Sequence, residues 1–138
     1  MIAKLFRVIL PVTDIEKAAT FYAHVRGSPG MRISAGRHYF DCGGTILACF
    51  DPKADGDGYD PKPNPEWLYF TVENIEATYE TCKEAGATFR AGNVHGDPAG
   101  KIAKRPWGER SFYIEDPFGN KICFVDVRTT FTGPSKRA

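Results

Sequence analysis

The chain has 138 residues, 42% of them hydrophobic, with 18 basic and 17 acidic side chains and a formal net charge of +1. That is one domain's worth of chain, with enough apolar content for a core. It shows no charge run suited to nucleic acid or an anionic membrane, and no apolar stretch near the ~20 residues that span a bilayer. The first residues lack the pattern of a cleavable signal, and Cys42, Cys49, Cys82 and Cys123 form no C-x-x-C pair. The expectation is therefore a cytoplasmic protein with reduced, mostly buried thiols and neither a nucleic-acid nor a membrane partner.

In chain order, residues 5–12 are an apolar, β-branched run ended by Pro11, and Asp14 stands where its carboxylate can accept from the first free N–H groups of a helix. Ile15, Ala18, Tyr22 and Val25 recur at steps of three and four, the spacing of one helical face, until Gly27, Pro29 and Gly30 stop it. Short strands are predicted over 31–34, 37–41 and 45–50, separated by Gly36 and by the Gly43-Gly44 turn. Residues 51–65 hold Pro52, Pro61, Pro63 and Pro65 and show no apolar period, which reads as an extended linker. Asp55, Asp57 and Glu66 match positions of a calcium loop, but Asp60 stands where the sharp turn needs glycine, so a solvated loop is expected.

The second half opens with a strand over 67–72 and a helix capped by Asn74, whose stripe Ile75, Tyr79, Cys82 and Ala85 stops at Gly86. A short strand over 88–90 leads into a long loop over 91–108 that bears glycines and prolines. Residues 110–115 then alternate, Asp116-Pro117-Phe118-Gly119 turns, and 121–127 closes the pattern. Beyond Thr129 the sequence is weakly specified, and Lys136 and Arg137 read as a solvated tail.

The two halves repeat one another. VILPVTDIEKA at 8–18 aligns with LYFTVENIEAT at 68–78, so Val12, Asp14, Ile15 and Glu16 fall on Val72, Asn74, Ile75 and Glu76 at an offset of 60 (72 − 12). GGTILACFD at 43–51 aligns with FGNKICFVD at 118–126 at an offset of 75 (119 − 44). Different offsets at start and end mean one β-α-β-β-β unit duplicated, with a longer middle in the second copy. The fold class expected is α+β, one domain of two tandem βαβββ modules: about 5–51, a linker at about 52–65, and about 66–128.

With two such modules, PWGER before the penultimate strand and DPFGNK before the last, the chain resembles the vicinal oxygen chelate superfamily, which includes glyoxalase I, extradiol dioxygenases, and fosfomycin- and bleomycin-resistance proteins. The resemblance covers about 5–127. It implies that each module curls into an open cup of mixed sheet, that the two cups share a cavity, and that a small single-chain member pairs as a homodimer. Metal-dependent members hold a divalent ion with His, Gln or Glu on the first and last strand of each half. The corresponding positions here are Arg7, Ala48, Trp67 and Cys123, and of these only Cys123 can ligate a metal. No metal and no cofactor are expected.

Strand alternation gives the remaining lining: Leu5 and Ile9 point with Arg7, Tyr69 and Thr71 with Trp67, and Val125 with Cys123. Such a cavity suits a planar or apolar small molecule with an acidic group, stacked on Trp67 and Tyr69 and paired to Arg7. Alternatively, Arg7 pairs with a neighbouring carboxylate and Trp67 fills a dimer core. His24 and His95 read as surface residues, whereas His38, on a middle strand, is a candidate to bind a ligand or move a proton. Trp107 is either a lid or a cover for the sheet end, and of Phe112 and Tyr113 only one can face the cup. Cys123 has no histidine or helix start beside it in sequence and reads as an inert thiol.

The candidate ligand-binding set is thus Arg7, Ile9, His38, Trp67, Tyr69, Trp107 and Cys123. The function expected is a metal-free small-molecule binding protein like the bleomycin-resistance proteins, and the alternative is a lyase, isomerase or dioxygenase of the same superfamily.

Overall fold

A computed structural model describes residues 2–133, so the expected tail at Lys136 and Arg137 lies outside the described residues. In chain order the elements are β1 (Arg7–Pro11), α1 (Ile15–Arg26), β2 (Met31–Ser34), β3 (Arg37–Asp41) and β4 (Ile46–Phe50), then β5 (Leu68–Val72), α2 (Ile75–Glu84), β6 (Thr88–Phe89), β7 (Asn93–Val94), β8 (Asp97–Pro98), β9 (Ala103–Lys104), β10 (Arg110–Glu115) and β11 (Lys121–Asp126). The chain divides into two compact units, one of the residues up to Pro65 with Pro117–Asn120, the other of Glu66–Asp116 with the residues from Lys121 on. The architecture is mixed α+β with no closed barrel, as the sequence predicts.

In the first unit the sheet order is β1-β4-β3-β2, with β1 parallel to β4 and the other pairs antiparallel. The second unit repeats this as β5-β11-β10-β6, with β9 also on β10. The register carries the sequence repeat: Val8 lies opposite Leu47, and the offsets of 60 and 75 move that pair onto Leu68 opposite Ile122. Both helices start where the sequence predicts. Asp14 Oδ1 accepts from Lys17 N at 3.1 Å and Asn74 Oδ1 from Ala77 N at 3.0 Å, each satisfying one orphan N–H of a first turn. Gly27, with φ 72, ends α1 in the left-handed conformation that glycine adopts without a Cβ clash.

Each helix covers one face of its sheet. In the first unit Val8, Leu47 and Phe40 share a row, as do Leu10, Cys49 and His38, and Tyr22 of α1 packs 6.3 Å from Phe40. Phe21, rather than the predicted Val25, completes the buried stripe of α1 with Ile15, Ala18 and Tyr22. In the second unit Phe70, Phe124 and Phe112 form the corresponding row, and Tyr79 of α2 meets Phe112 edge-on at 5.0 Å. Leu10, Phe40, Leu47 and Cys49 of these rows are buried in the first unit, and Phe112 and Phe124 in the second.

Two stretches differ from expectation. The start of the linker is a compact turn rather than an extended chain: Asp51 Oδ1 accepts from Lys53 N and Ala54 N, Asp57 N donates to Pro52 O, and Pro52 is fully buried. Asp55, weighed above as a calcium-loop position, instead accepts from Ser34 Oγ and Gly36 N and lies 3.5 Å from Arg37 Nε. Local side-chain acceptors thus outweigh the solvation that the proline and glycine content suggests. The loop over 91–108 contains the β7–β8 ladder and β9, strands of two residues that are too short to leave a period in sequence.

Candidate functional site

The face of the second sheet that turns away from α2 carries two cross-strand rows. Tyr69, Cys123 and Tyr113 form one, and Thr71, Val125 and Ser111 the other. Trp67, just before β5, meets Tyr113 edge-on at 4.9 Å, and Tyr69 does so at 6.5 Å. Ala99, from the long loop, packs into the same cluster with Cys123 and Val125. These aromatics border two concavities that share Tyr69. One, of about 460 Å³, is lined by Trp67, Tyr69, Arg90, Val94, Ala99 and Tyr113. The other, of about 620 Å³, is lined by Tyr69, Thr71, Trp107, Glu109, Val125 and Phe131.

Charge is arranged around this face. The Arg90 guanidinium lies 5.5 Å from the Trp67 ring and pairs with Glu115 at 2.9 Å, while Lys121 Nζ lies 5.8 Å from the same ring. Glu109 holds the second concavity together, accepting from Trp107 Nε1 at 2.8 Å and from Phe131 N at 2.9 Å. At the end of β11, Asp126 accepts from Arg128 and Arg110, and these partners, Arg128 first, hold its carboxyl down at about 2. The acids on the face itself shift the other way. Burial pushes the Cys123 thiol up to about 12, and burial likewise raises the phenols of Tyr113 and Tyr69.

The sequence-predicted residues divide between the units. Trp67, Tyr69 and Cys123 meet around Tyr113 as described, and Trp107 borders the second concavity with its indole N–H committed to Glu109. In the first unit Arg7 and Ile9 share the face of β1 turned away from α1, with Ile9 in a row with Ala48, Tyr39 and Met31. The Arg7 guanidinium lies over Phe6 and Tyr39, at 4.8 and 5.4 Å.

His38 occupies the other face of its strand from that of Tyr39. It lies opposite Cys49 and Leu10 on the helix-covered face, is buried, has Nε2 2.8 Å from Pro29 O, and accepts at Nδ1 from Arg32 Nε at 3.3 Å. Both ring nitrogens are thus engaged within the protein, on the face that α1 covers and away from the aromatic face.

The sequence reading missed Ala99, Arg90, Arg105 and Glu109 and left Tyr113 undecided. A signal for Tyr113 was present. The turn at 116–119 pairs Glu115 with Lys121 and hence Tyr113 with Cys123, so placing Cys123 on the open face places Tyr113 there too. The equivalent count from the Gly43-Gly44 turn pairs Asp41 with Ile46 and Tyr39 with Ala48, which turns His38 away. For the loop residues no period exists to read.

This topology is shared widely. A model of the glyoxalase/bleomycin resistance protein/dioxygenase superfamily matches residues 4–124. The chain belongs to that superfamily. Its solved neighbours include a glyoxalase-related enzyme from Fulvimarina pelagi, with 19% identity and a TM-score of 0.71 over 92% of this chain and 90% of that one. A superfamily member from Sphaerobacter thermophilus has 26% identity and a TM-score of 0.63 over 91% and 98%. A lactoylglutathione lyase from Agrobacterium tumefaciens has 20% identity and a TM-score of 0.63 over 93% and 96%. No curated protein matches the chain in sequence.

Superfamily membership raises the matter of a divalent ion, and the residues at its usual positions do not fit one. Arg7 is a fixed cation already stacked on two rings, and neither Ala48 nor Trp67 offers a donor with a free lone pair. Cys123 alone of the four could ligate, and one donor does not make the three or four that hold such an ion. Among the described residues no three His, Cys, Asp or Glu side chains gather as a ligand set.

Proposed function

We propose that this protein is a small-molecule binding member of the superfamily that grips a planar aromatic or apolar ligand on the Trp67, Tyr69 and Tyr113 face of its second unit. The observation that carries the reading is the pairing of aromatic walls with silenced acids. Three rings border a concavity of about 460 Å³, and the Cys123 thiol and the phenols of Tyr69 and Tyr113 are all shifted toward their neutral forms. A face of that kind offers stacking and dispersion but neither a nucleophile nor a general base at neutral pH. Arg90, its guanidinium 5.5 Å from the centre of the Trp67 ring, stands in this reading where Arg7 stood in the sequence expectation, as the cation beside the ligand. The four free cysteines suit a reducing compartment, which supports a cytoplasmic location.

Calorimetric titration with para-nitroanisole, a planar neutral probe, tests the reading. Saturable binding is expected, and Trp67→Ala should weaken it by about tenfold, the effect of losing one edge-to-face aromatic wall. An unchanged affinity in the variant would sink it. Superfamily enzymes are the competing reading. A stoichiometric divalent metal in protein purified without chelator would favour them.

The reading includes a homodimer. Leu5, Phe6, Met31 and Ile33 of the first unit are 68%, 61%, 67% and 49% exposed, and Ile9 lies with Met31 on the face turned away from α1. An apolar surface of this kind on a chain of net charge +1 fits a second copy of itself. Light scattering is expected to give twice the 15.3 kDa chain mass, and a monomer mass at tens of micromolar would remove the dimer from the proposal.

A further inference from the structure

Arg105 is the largest fully buried side chain described, with 2% of its surface exposed. It follows β9 and lies on the same side of the sheet as the aromatic face. Its Nε donates to Ser111 Oγ at 3.1 Å, Nη1 to Pro98 O at 3.3 Å, and Nη2 to the carbonyls of Ala99, Lys101 and Ser111 at 3.3, 3.1 and 2.9 Å. The guanidinium carbon is 5.3 Å from the centre of the Tyr113 ring.

Every acceptor is therefore neutral. The other arginines with buried or half-buried partners, Arg37, Arg90, Arg110 and Arg128, each pair with a carboxylate, and Arg105 pairs with none among the described residues. The Glu109 carboxylate, which accepts from the neutral Trp107 Nε1 and Phe131 N, makes no ion pair with Arg105. Carbonyl dipoles satisfy hydrogen bonds but do not cancel a net charge, and a cation withdrawn from water without a counter-ion is costly to keep. Two of the groups that touch Arg105, Ala99 and Tyr113, are walls of the 460 Å³ concavity, so the charge lies one layer behind the surface a ligand would meet.

No titratable group on that surface makes an ion pair with Arg105 among the described residues, and the anions felt there are Glu109, which acts on Tyr69 and Cys123, and Glu66, which acts on Tyr69. Tyr69 from β5, Tyr113 from β10 and Cys123 from β11 are all held toward their neutral forms, and Arg90 and Lys121 at its edge are cations, Arg90 paired to Glu115. Burial disfavours an anion on these three acids, and the charges that oppose that penalty in the concavity are the cations Arg105, Arg90 and Lys121.

We propose that Arg105 is the buried counter-charge of this site, and that the aromatic face selects the deprotonated form of a planar phenol or carboxylic acid over its neutral isostere. This rests on the binding reading above and adds the ligand's charge to it. Arg105 acts from behind the wall, as a positioning and selectivity residue rather than a direct contact.

The test uses para-nitrophenol, whose ionisation is visible in its absorbance, beside para-nitroanisole, which has the same shape and no acidic proton. The wild-type protein should lower the pKa of bound para-nitrophenol by about one unit, the low end for an opposite charge a few ångströms away, and bind the phenolate about tenfold tighter than the anisole. In Arg105→Met the pKa shift should vanish while anisole binding persists, and Arg105→Lys should restore most of the shift. A shift retained in the Met variant overturns the proposal, because a residue that only braces its loop would not move a ligand's pKa. Should the Met variant fail to fold, the wild-type comparison decides alone: equal affinity for the two probes overturns the charge assignment and leaves the binding reading standing. If neither probe binds, both fall.

Discussion

Phe112→Ala is expected to destabilise the protein by about 3–5 kcal/mol, the range for emptying a fully buried phenylalanine site. Phe112 has no exposed surface and sits at the junction of four rings. Tyr79 meets it edge-on at 5.0 Å, Phe89 stacks at 6.0 Å, and Phe124 lies tilted at 5.4 Å. Those rings come from α2, β6 and β11, and Phe112 itself from β10, so a cavity there loosens the helix and three strands together. None of these elements can close the gap without breaking its own register, which places the loss toward the upper end. Urea denaturation followed by circular dichroism reads the effect, and a loss below about 1 kcal/mol would mean that the aromatic row is not the core of this unit.

Asn120→Ala is expected to cost about 2–4 kcal/mol, since it strands two half-buried backbone groups at about 1–2 kcal/mol each, the lower part of the range for an unsatisfied group. Asn120 is fully buried in the first unit, where Oδ1 accepts from Asn64 N at 2.8 Å and Nδ2 donates to Pro11 O at 2.7 Å. Pro11 ends β1 and has no N–H of its own, and Asn64 lies at the end of the proline-bearing connection, so neither partner has a ladder to fall back on. Asn120→Asp provides a contrast. It keeps the acceptor for Asn64 but brings a carboxylate against the Pro11 carbonyl, so it should be no more stable than the alanine variant, and less so above the carboxyl pKa. Thermal melts of the three proteins at neutral pH check the order. A wild-type-like melting temperature for Asn120→Ala would show that water replaces the amide without loss.

The legible parts of this protein are the local ones. Asp14 and Asn74 mark helix starts because a short side-chain acceptor before an apolar stripe has few other uses, and Gly27 marks the stop because few other residues enter the left-handed region freely. The repeat is legible because register is copied with sequence, so Val8 with Leu47 foretells Leu68 with Ile122. The compact turn at Asp51 and Asp55 was misread, because composition reports how polar a segment is but not whether its carboxylates find N–H partners within it. The facing of His38 follows from a register count from the glycine turn, which pairs Asp41 with Ile46 and Tyr39 with Ala48.

Sequence by itself determined the duplicated βαβββ plan and the caps that bound its helices, both of which depend on residue identity and spacing along the chain. Only the tertiary structure decided that Tyr113 rather than Phe112 joins Trp67 and Tyr69, and that Arg105 lies buried among neutral carbonyls behind them. The physical reason is distance along the chain. A strand's facing depends on which partner it pairs with, and a loop cation's environment on where the backbone carbonyls of 98–101 and Ser111 converge around it, and neither leaves a period for a sequence to display.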